Sequence, residues 1–162
     1  MPPSPFRPSP SRSRPTRLLA VSSGGGHWVQ MLRLRPAFAG AEVHFASVEP
    51  SSAQMVSPAP FHLFPDANKD QPLRLILTAL RLAVIVARVR PDVVISTGAA
   101  GGYLAIRIAR LIGARTMFID SIANARELSV SARLSKGVAD RVLSQWPGVA
   151  DSQGTEFCGA VI

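Results

Sequence analysis

Residues 18–27, Leu18-Leu19-Ala20-Val21-Ser22-Ser23-Gly24-Gly25-Gly26-His27, decide the fold. Four apolar residues run without interruption into a small-residue loop. That is the pattern of a strand buried on both faces, as parallel strands are, feeding a tight turn. Residues 27–38 follow with helical spacing, carrying Trp28, Met31, Leu32 and Leu34 and ending near Pro36. Strand, glycine loop and helix in succession are the opening of a βαβ unit.

The same grammar recurs downstream. Residues 92–97 (DVVIST) predict a second buried strand, and residues 98–102 (GAAGG) a second small-residue loop. A helix is expected over 103–111, with Gly113 as its stop. Further strands are expected at 42–46, 61–64, 115–120 and 141–145, and helices at 72–90 and 129–138. Residues 51–60 read as a Pro/Ser loop. Alternating strands and helices imply right-handed crossovers, hence an α/β, Rossmann-like parallel sheet with helices on both faces. Ligands of such sheets sit at the carboxyl ends of the strands, where both glycine loops open.

Composition narrows the partners. The chain has 162 residues, one domain's length, with 47% hydrophobic and 17% charged residues. Its single cysteine, Cys158, excludes an intrachain disulfide framework and a thiolate zinc cluster. The net charge is +8, and four of those charges (Arg7, Arg12, Arg14, Arg17) lie in residues 1–17, which hold no acid. A basic body points to phosphate, lipid or nucleic acid. Aromatic–basic interleaving and a helix-turn-helix signal are both lacking, so no nucleic-acid partner is expected. Residues 1–16, rich in Pro, Ser and Arg, are expected to be a disordered basic tail. Residues 17–150 form the domain, and 151–162 a C-terminal tail.

The glycine loops carry the functional expectation. Gly24, Gly25 and Gly26 let the backbone approach a ligand, and the helix behind them offers free N–H groups to a phosphate. His27, at the helix start, suits orientation of a diphosphate or service as a base. Gly98, Gly101 and Gly102 repeat the device. A Walker loop requires Gly-Lys-Ser/Thr, which is absent. A dinucleotide fingerprint starting at Gly24 and Gly26 meets Val29 where its third small residue belongs, although Glu49 stands where a ribose-binding acid would. A nucleotide-binding oxidoreductase domain, and a non-catalytic membrane scaffold, thus stay open as alternatives. Residues 73–90 (LRLILTALRLAVIVARVR) are apolar apart from arginines. Arg74, Arg81 and Arg88, spaced by seven, form a stripe suited to an anionic membrane surface, or else to the solvated face of a crossover helix.

Taken in order, SSGGGHWVQM (22–31), RPDVVISTGAAGGYLAIRIARLIGARTMFID (90–120) and ADRVLSQWPG (139–148) resemble the anchoring subunit of the two-part N-acetylglucosaminyltransferase of dolichol-linked oligosaccharide synthesis. Its bacterial counterparts act in exopolysaccharide and capsule assembly. The resemblance runs from about residue 17 to 148. It implies one half of a GT-B glycosyltransferase, inactive alone, at the cytoplasmic face of the membrane and peripheral to it. A small catalytic subunit would hold the sugar nucleotide, and this chain a polyprenyl-diphosphate-linked sugar acceptor. The resemblance places Gly24, Gly25, Gly26, Gly98, Gly101 and Gly102 at the acceptor diphosphate. It makes His27 and Asp120 the candidate catalytic groups, Asp120 standing where the family commonly has Glu. No cofactor and no metal are implied. Residues 157–162 are a candidate docking strand for the partner.

Overall fold

The computed structural model describes residues 14–161. Residues 1–13, most of the tail expected to be disordered, lie outside the described residues. Of the tail, Arg14 is held against the body: its guanidinium donates two hydrogen bonds to the Asp92 carboxylate, at 3.0 Å each.

Seven strands form one parallel sheet in the order β3-β2-β1-β4-β5-β6-β7. They are β1 (Arg17–Val21), β2 (Glu42–Ser47), β3 (Phe61–Leu63), β4 (Val93–Ser96), β5 (Arg115–Ile119), β6 (Arg141–Ser144) and β7 (Glu156–Phe157). The helices are α1 (Gly26–Leu34), α2 (Ser52–Val56), α3 (Pro72–Val89), α4 (Ala99–Leu111), α5 (Val130–Ser135) and α6 (Pro147–Gln153), with a 3-10 turn at Arg35–Phe38 after α1. The expected Rossmann-like parallel sheet with helices on both faces is the observed fold.

Period-two alternation in β1 sorts the core. Leu18 and Ala20 pack with Trp28, Met31, Phe38 and Phe45 on one face. Leu19 and Val21 pack with Leu82, Ile85, Ile106 and Phe118 on the other. The strand order reverses between β1 and β4, which pair in parallel from Leu18↔Val93 to Val21↔Ser96. Both glycine loops therefore leave neighbouring strands at the topological switch point, where such sheets open a crevice.

Several boundaries differ from the sequence reading. The 51–60 loop contains α2, a single turn. α4 begins at Ala99 rather than at residue 103, because Gly101 and Gly102 let the helix start directly against the sheet. A Cβ on Gly101 would stand 2.5 Å from Phe64 Cε2, and one on Gly102 would overlap the buried Ser96 hydroxyl. α6 and β7 extend the fold beyond residue 145. Phe157, the first residue of the candidate docking strand, pairs with β6 inside the chain's own sheet.

At the far edge, His44 Nε2 lies 3.2 Å from Glu42 Oε1, and His44 Nδ1 lies 3.1 Å from His62 Nε2. Burial lowers the His62 pKa below its ordinary value, and the charges of His44, Arg81 and Arg88 lower it further. The folded state thus binds fewer protons there than the unfolded chain. This contribution to stability is complete above about pH 6.5 and declines as the pH falls below it.

Two outcomes follow for stability. Gly102→Ala is expected to destabilise the domain by about 1–3 kcal/mol through overpacking against Ser96, read by urea denaturation. His62→Gln is expected to flatten the loss of stability between roughly pH 6.5 and pH 5, measured by thermal melts across that range.

Candidate functional site

A cleft of about 800 Å³ opens at the carboxyl ends of β1, β2 and β4. Its floor is the two glycine loops, represented by Ser23, Gly24, His27, Ala99 and Ala100. Lys69, before α3, and Arg74, in its first turn, form one wall. Leu104, Val130 and Leu134 give an apolar side.

His27 joins the two loops. Its Nδ1 lies 2.9 Å from the carbonyl oxygen of Thr97. A carbonyl only accepts, so Nδ1 carries the proton and donates it there. Nε2 is left as the nitrogen available to a ligand. The ring lies where a Cβ on Gly98 would be, since that atom would overlap Nδ1 and Cε1. Gly98 also has φ +142°, a conformation that L side chains rarely adopt. Ala99, next in the chain, has φ +65°. A non-glycine residue held there is a strained position of the kind that gathers at ligand sites.

Both helices that start here begin without a side-chain cap: α1 behind Gly25 and α4 behind Gly98. Neither has an acid in its first turn. Their leading N–H groups and positive dipole ends are therefore directed at the cleft floor without a side chain of their own to satisfy them.

The predicted glycines divide into two groups. Gly24, Gly25 and Gly26 form the loop surface, while Gly98 is buried beneath the His27 ring. Gly101 and Gly102 are buried, and their missing side chains make room for Phe64 and Ser96. In the fold they pack α4 on the sheet. Glu49, considered as a ribose acid, has Oε1 only 2.6 Å from where a Cβ on Gly24 would be. It sets a carboxylate beside the first loop, which disfavours a phosphate at Gly24 and directs one toward Lys69, Arg74 and α4.

Asp120 does not line the cleft. It is 1% exposed. Its Oδ1 accepts from Asn124 Nδ2 at 2.9 Å and its Oδ2 from the Ser129 N–H at 2.9 Å. Both oxygens thus shape the loop between β5 and α5. The Gln145-Trp146 pair serves the same region. Gln145 donates to the Asp120 carbonyl at 2.8 Å and accepts the Val161 N–H at 2.7 Å, and Trp146 Nε1 donates to the Ile122 carbonyl at 2.7 Å.

The arginine stripe of α3 also separates. Arg74 lines the cleft. Arg81 Nε donates to the Leu63 carbonyl at 3.0 Å. Arg88 lies near enough to His62 to depress its pKa. The solvent-facing line of the helix is instead apolar: Leu73, Ile76, Leu77, Leu80 and Val84 are 41–77% exposed. Their spacing of three, four and seven places them on one face, opposite buried Leu82, Val86 and Val89. The helix thus packs on the sheet with one face and exposes an apolar line flanked by arginines on the other. No helix among the described residues is long and apolar enough to cross a membrane. No group of three or more metal-ligating side chains occurs among the described residues.

No family model matches the chain. A curated relative, the UDP-N-acetylglucosamine transferase subunit ALG14 of Cryptococcus neoformans var. neoformans serotype D (strain B-3501A), is 35% identical over 57 residues. That match covers 35% of this chain and 25% of the relative. The chain is thus similar to the transferase subunit that its sequence resembles. MurG of Acinetobacter baumannii matches with a TM-score of 0.70 at 16% identity, over 91% of this chain and 45% of that one. A UDP-GlcNAc 2-epimerase from Neisseria meningitidis, bound to UDP-GlcNAc, matches with a TM-score of 0.66 at 10% identity, over 87% of this chain and 44% of that one. At such identities these two structures show the shared fold, and the chain spans less than half the length of either.

Asp120→Ala is expected to cost about 1–3 kcal/mol by leaving two half-buried donors, Asn124 Nδ2 and the Ser129 N–H, without their partner. Loosening should be concentrated in residues 121–129, as read by hydrogen exchange.

Proposed function

We propose that this chain is the acceptor-binding, membrane-facing subunit of a heteromeric glycosyltransferase. The assembled enzyme moves a sugar from a nucleotide-diphosphate donor to a hydroxyl of a polyprenyl-diphosphate-linked acceptor, at the cytoplasmic face of a membrane. The observation that carries this reading is the cleft itself, where a histidine nitrogen, two side-chain cations and an uncapped helix start face one space. Similarity to a protein named as a transferase subunit supports it, and supports a second chain that holds the sugar nucleotide.

The chemistry runs as a single displacement. Lys69, Arg74 and the first turn of α4 hold the acceptor diphosphate. His27 Nε2 takes the proton of the acceptor hydroxyl as its oxygen bonds to the anomeric carbon of the donor. The bond from that carbon to the nucleotide diphosphate breaks, and the diphosphate departs with the electron pair. The configuration at the carbon inverts. One base and stabilisation of the leaving group suffice.

The apolar line of α3 supports the membrane contact. It begins at Leu73, beside the cleft residues Arg74 and Leu75, so a membrane covering it lies next to the acceptor's polar end. Arg81 and Arg88 flank the line, where guanidinium groups meet lipid phosphates while their stems remain in apolar contact.

The test is transfer of labelled sugar to a lipid-linked acceptor, with this chain, with its co-purified partner and with both. Product is expected only from the pair, and His27→Ala in the pair should lower kcat by roughly 10²–10⁴-fold. Product from this chain alone, or a pair indifferent to His27→Ala, would contradict the reading. Leu77→Asp with Leu80→Asp is expected to weaken co-sedimentation with anionic vesicles by about tenfold or more, with an unchanged melting temperature because both side chains are exposed.

A further inference from the structure

Thr97 is fully buried, yet it holds His27 at two places. Its carbonyl oxygen accepts the Nδ1–H of the ring at 2.9 Å, and its hydroxyl donates to the carbonyl of His27 at 2.8 Å. The hydroxyl also lies 3.1 Å from that of Ser22, which in turn donates to the Ser23 carbonyl at 2.9 Å. The backbone N–H of Thr97 donates to the Val21 carbonyl, at 3.4 Å. One residue at the end of β4 therefore contacts the end of β1, the first glycine loop and the first turn of α1.

We infer that Thr97 is the positioning residue of the site: it fixes the tautomer, direction and backbone of His27, and so couples the two glycine loops into one rigid floor. The inference rests on the proposed role of His27 as base and adds what makes that role possible. A neutral imidazole in water favours the tautomer with its proton on Nε2, which cannot accept a proton there. A carbonyl at Nδ1 reverses the preference and leaves the Nε2 lone pair for the substrate hydroxyl. The hydroxyl-to-carbonyl bond stops residue 27 from turning about its backbone, so that the ring cannot follow a departing ligand. Gly98 completes the seat, since the ring occupies the volume that any side chain there would need.

This device accounts for features that the glycine-loop pattern does not. A loop built only to cradle phosphate has no need of a buried threonine whose hydroxyl turns toward a histidine backbone. Close packing of α4 on the sheet accounts for Gly101 and Gly102, whose side-chain space belongs to Phe64 and Ser96. It does not account for Gly98, whose space belongs to His27. Sequence reading singles out the glycines and the histidine but passes over Thr97, because the pairing spans 70 positions in the chain.

The direct test is long-range ¹H–¹⁵N correlation of the imidazole nitrogens in the isolated, labelled chain. With three histidines in the sequence, a His27→Gln control assigns the signals. The neutral His27 ring is expected to show its proton on Nδ1. Thr97→Val keeps the size and the carbonyl but removes the hydroxyl, and it should bring the Nε2-protonated form into the population. Gly98→Ala, which displaces the ring, should abolish the Nδ1–H signature, with folding checked by the unchanged signals of His44 and His62. In the assembled transferase, Thr97→Val is expected to lower kcat about tenfold with little change in either KM. A wild-type His27 protonated on Nε2, or a tautomer unaffected by both substitutions, would overturn the inference. The imidazole result is read on the chain alone, so it stands or falls independently of whether transfer is observed.

Discussion

The Nδ1–H of His27 donates to the carbonyl of Thr97 through the space that a Cβ on Gly98 would fill. The upper edge of the sheet is organised around that contact. It exists because β1 and β4 are neighbours in the sheet while being 75 residues apart at Val21↔Ser96 in register, so the loops leaving them emerge side by side. Each loop then starts a helix with no side-chain cap. Had either loop carried a larger residue at the junction, the ring would be expelled and the two helix starts would separate. The cleft is thus a property of topology and of one absent side chain acting together.

Charge and apolar surface are laid out in order from this joint. Glu49 stands against Gly24, while Arg74 and Lys69 face the side of α4. Beyond Arg74 the exposed face of α3 turns apolar, through Leu77 and Leu80, with its arginines alongside. Under the proposed function, this is the order in which a sugar head, a diphosphate and a hydrocarbon tail would meet the surface. The opposite face of α3 is occupied by Leu82, Val86 and Val89 in the core. One helix thereby serves the fold on one side and a surface on the other, and this is why its sequence is apolar nearly all round.

Much of this architecture was legible in the sequence. Apolar runs ending in small residues located β1 and β4, and the alternation of elements fixed a parallel, two-faced sheet. The elements that escaped are short and held by tertiary contacts. α2 is one turn, and α6 has only Pro147 at its start and a left-handed Gly154 at its end as local signals. Side-chain roles were less legible, because they depend on partners distant in the chain. Gly101 and Gly102 look like loop glycines until Phe64 and Ser96 are seen against them. Asp120 looks like a strand-end acid facing a site, yet its oxygens serve Asn124 and the Ser129 N–H. Heptad spacing put the three arginines on one stripe, but the end of α3 that meets the cleft claims Arg74 for it.

The most direct test of the account is to follow backbone amide shifts of the isolated chain while adding a short-chain prenyl-diphosphate sugar. The account predicts saturable shifts at Ala99, Ala100, Lys69 and Arg74, together with the His27 ring, and weaker responses to a sugar nucleotide. Saturable shifts produced by the sugar nucleotide in preference to the prenyl compound, or shifts confined to residues away from the two glycine loops, would contradict it.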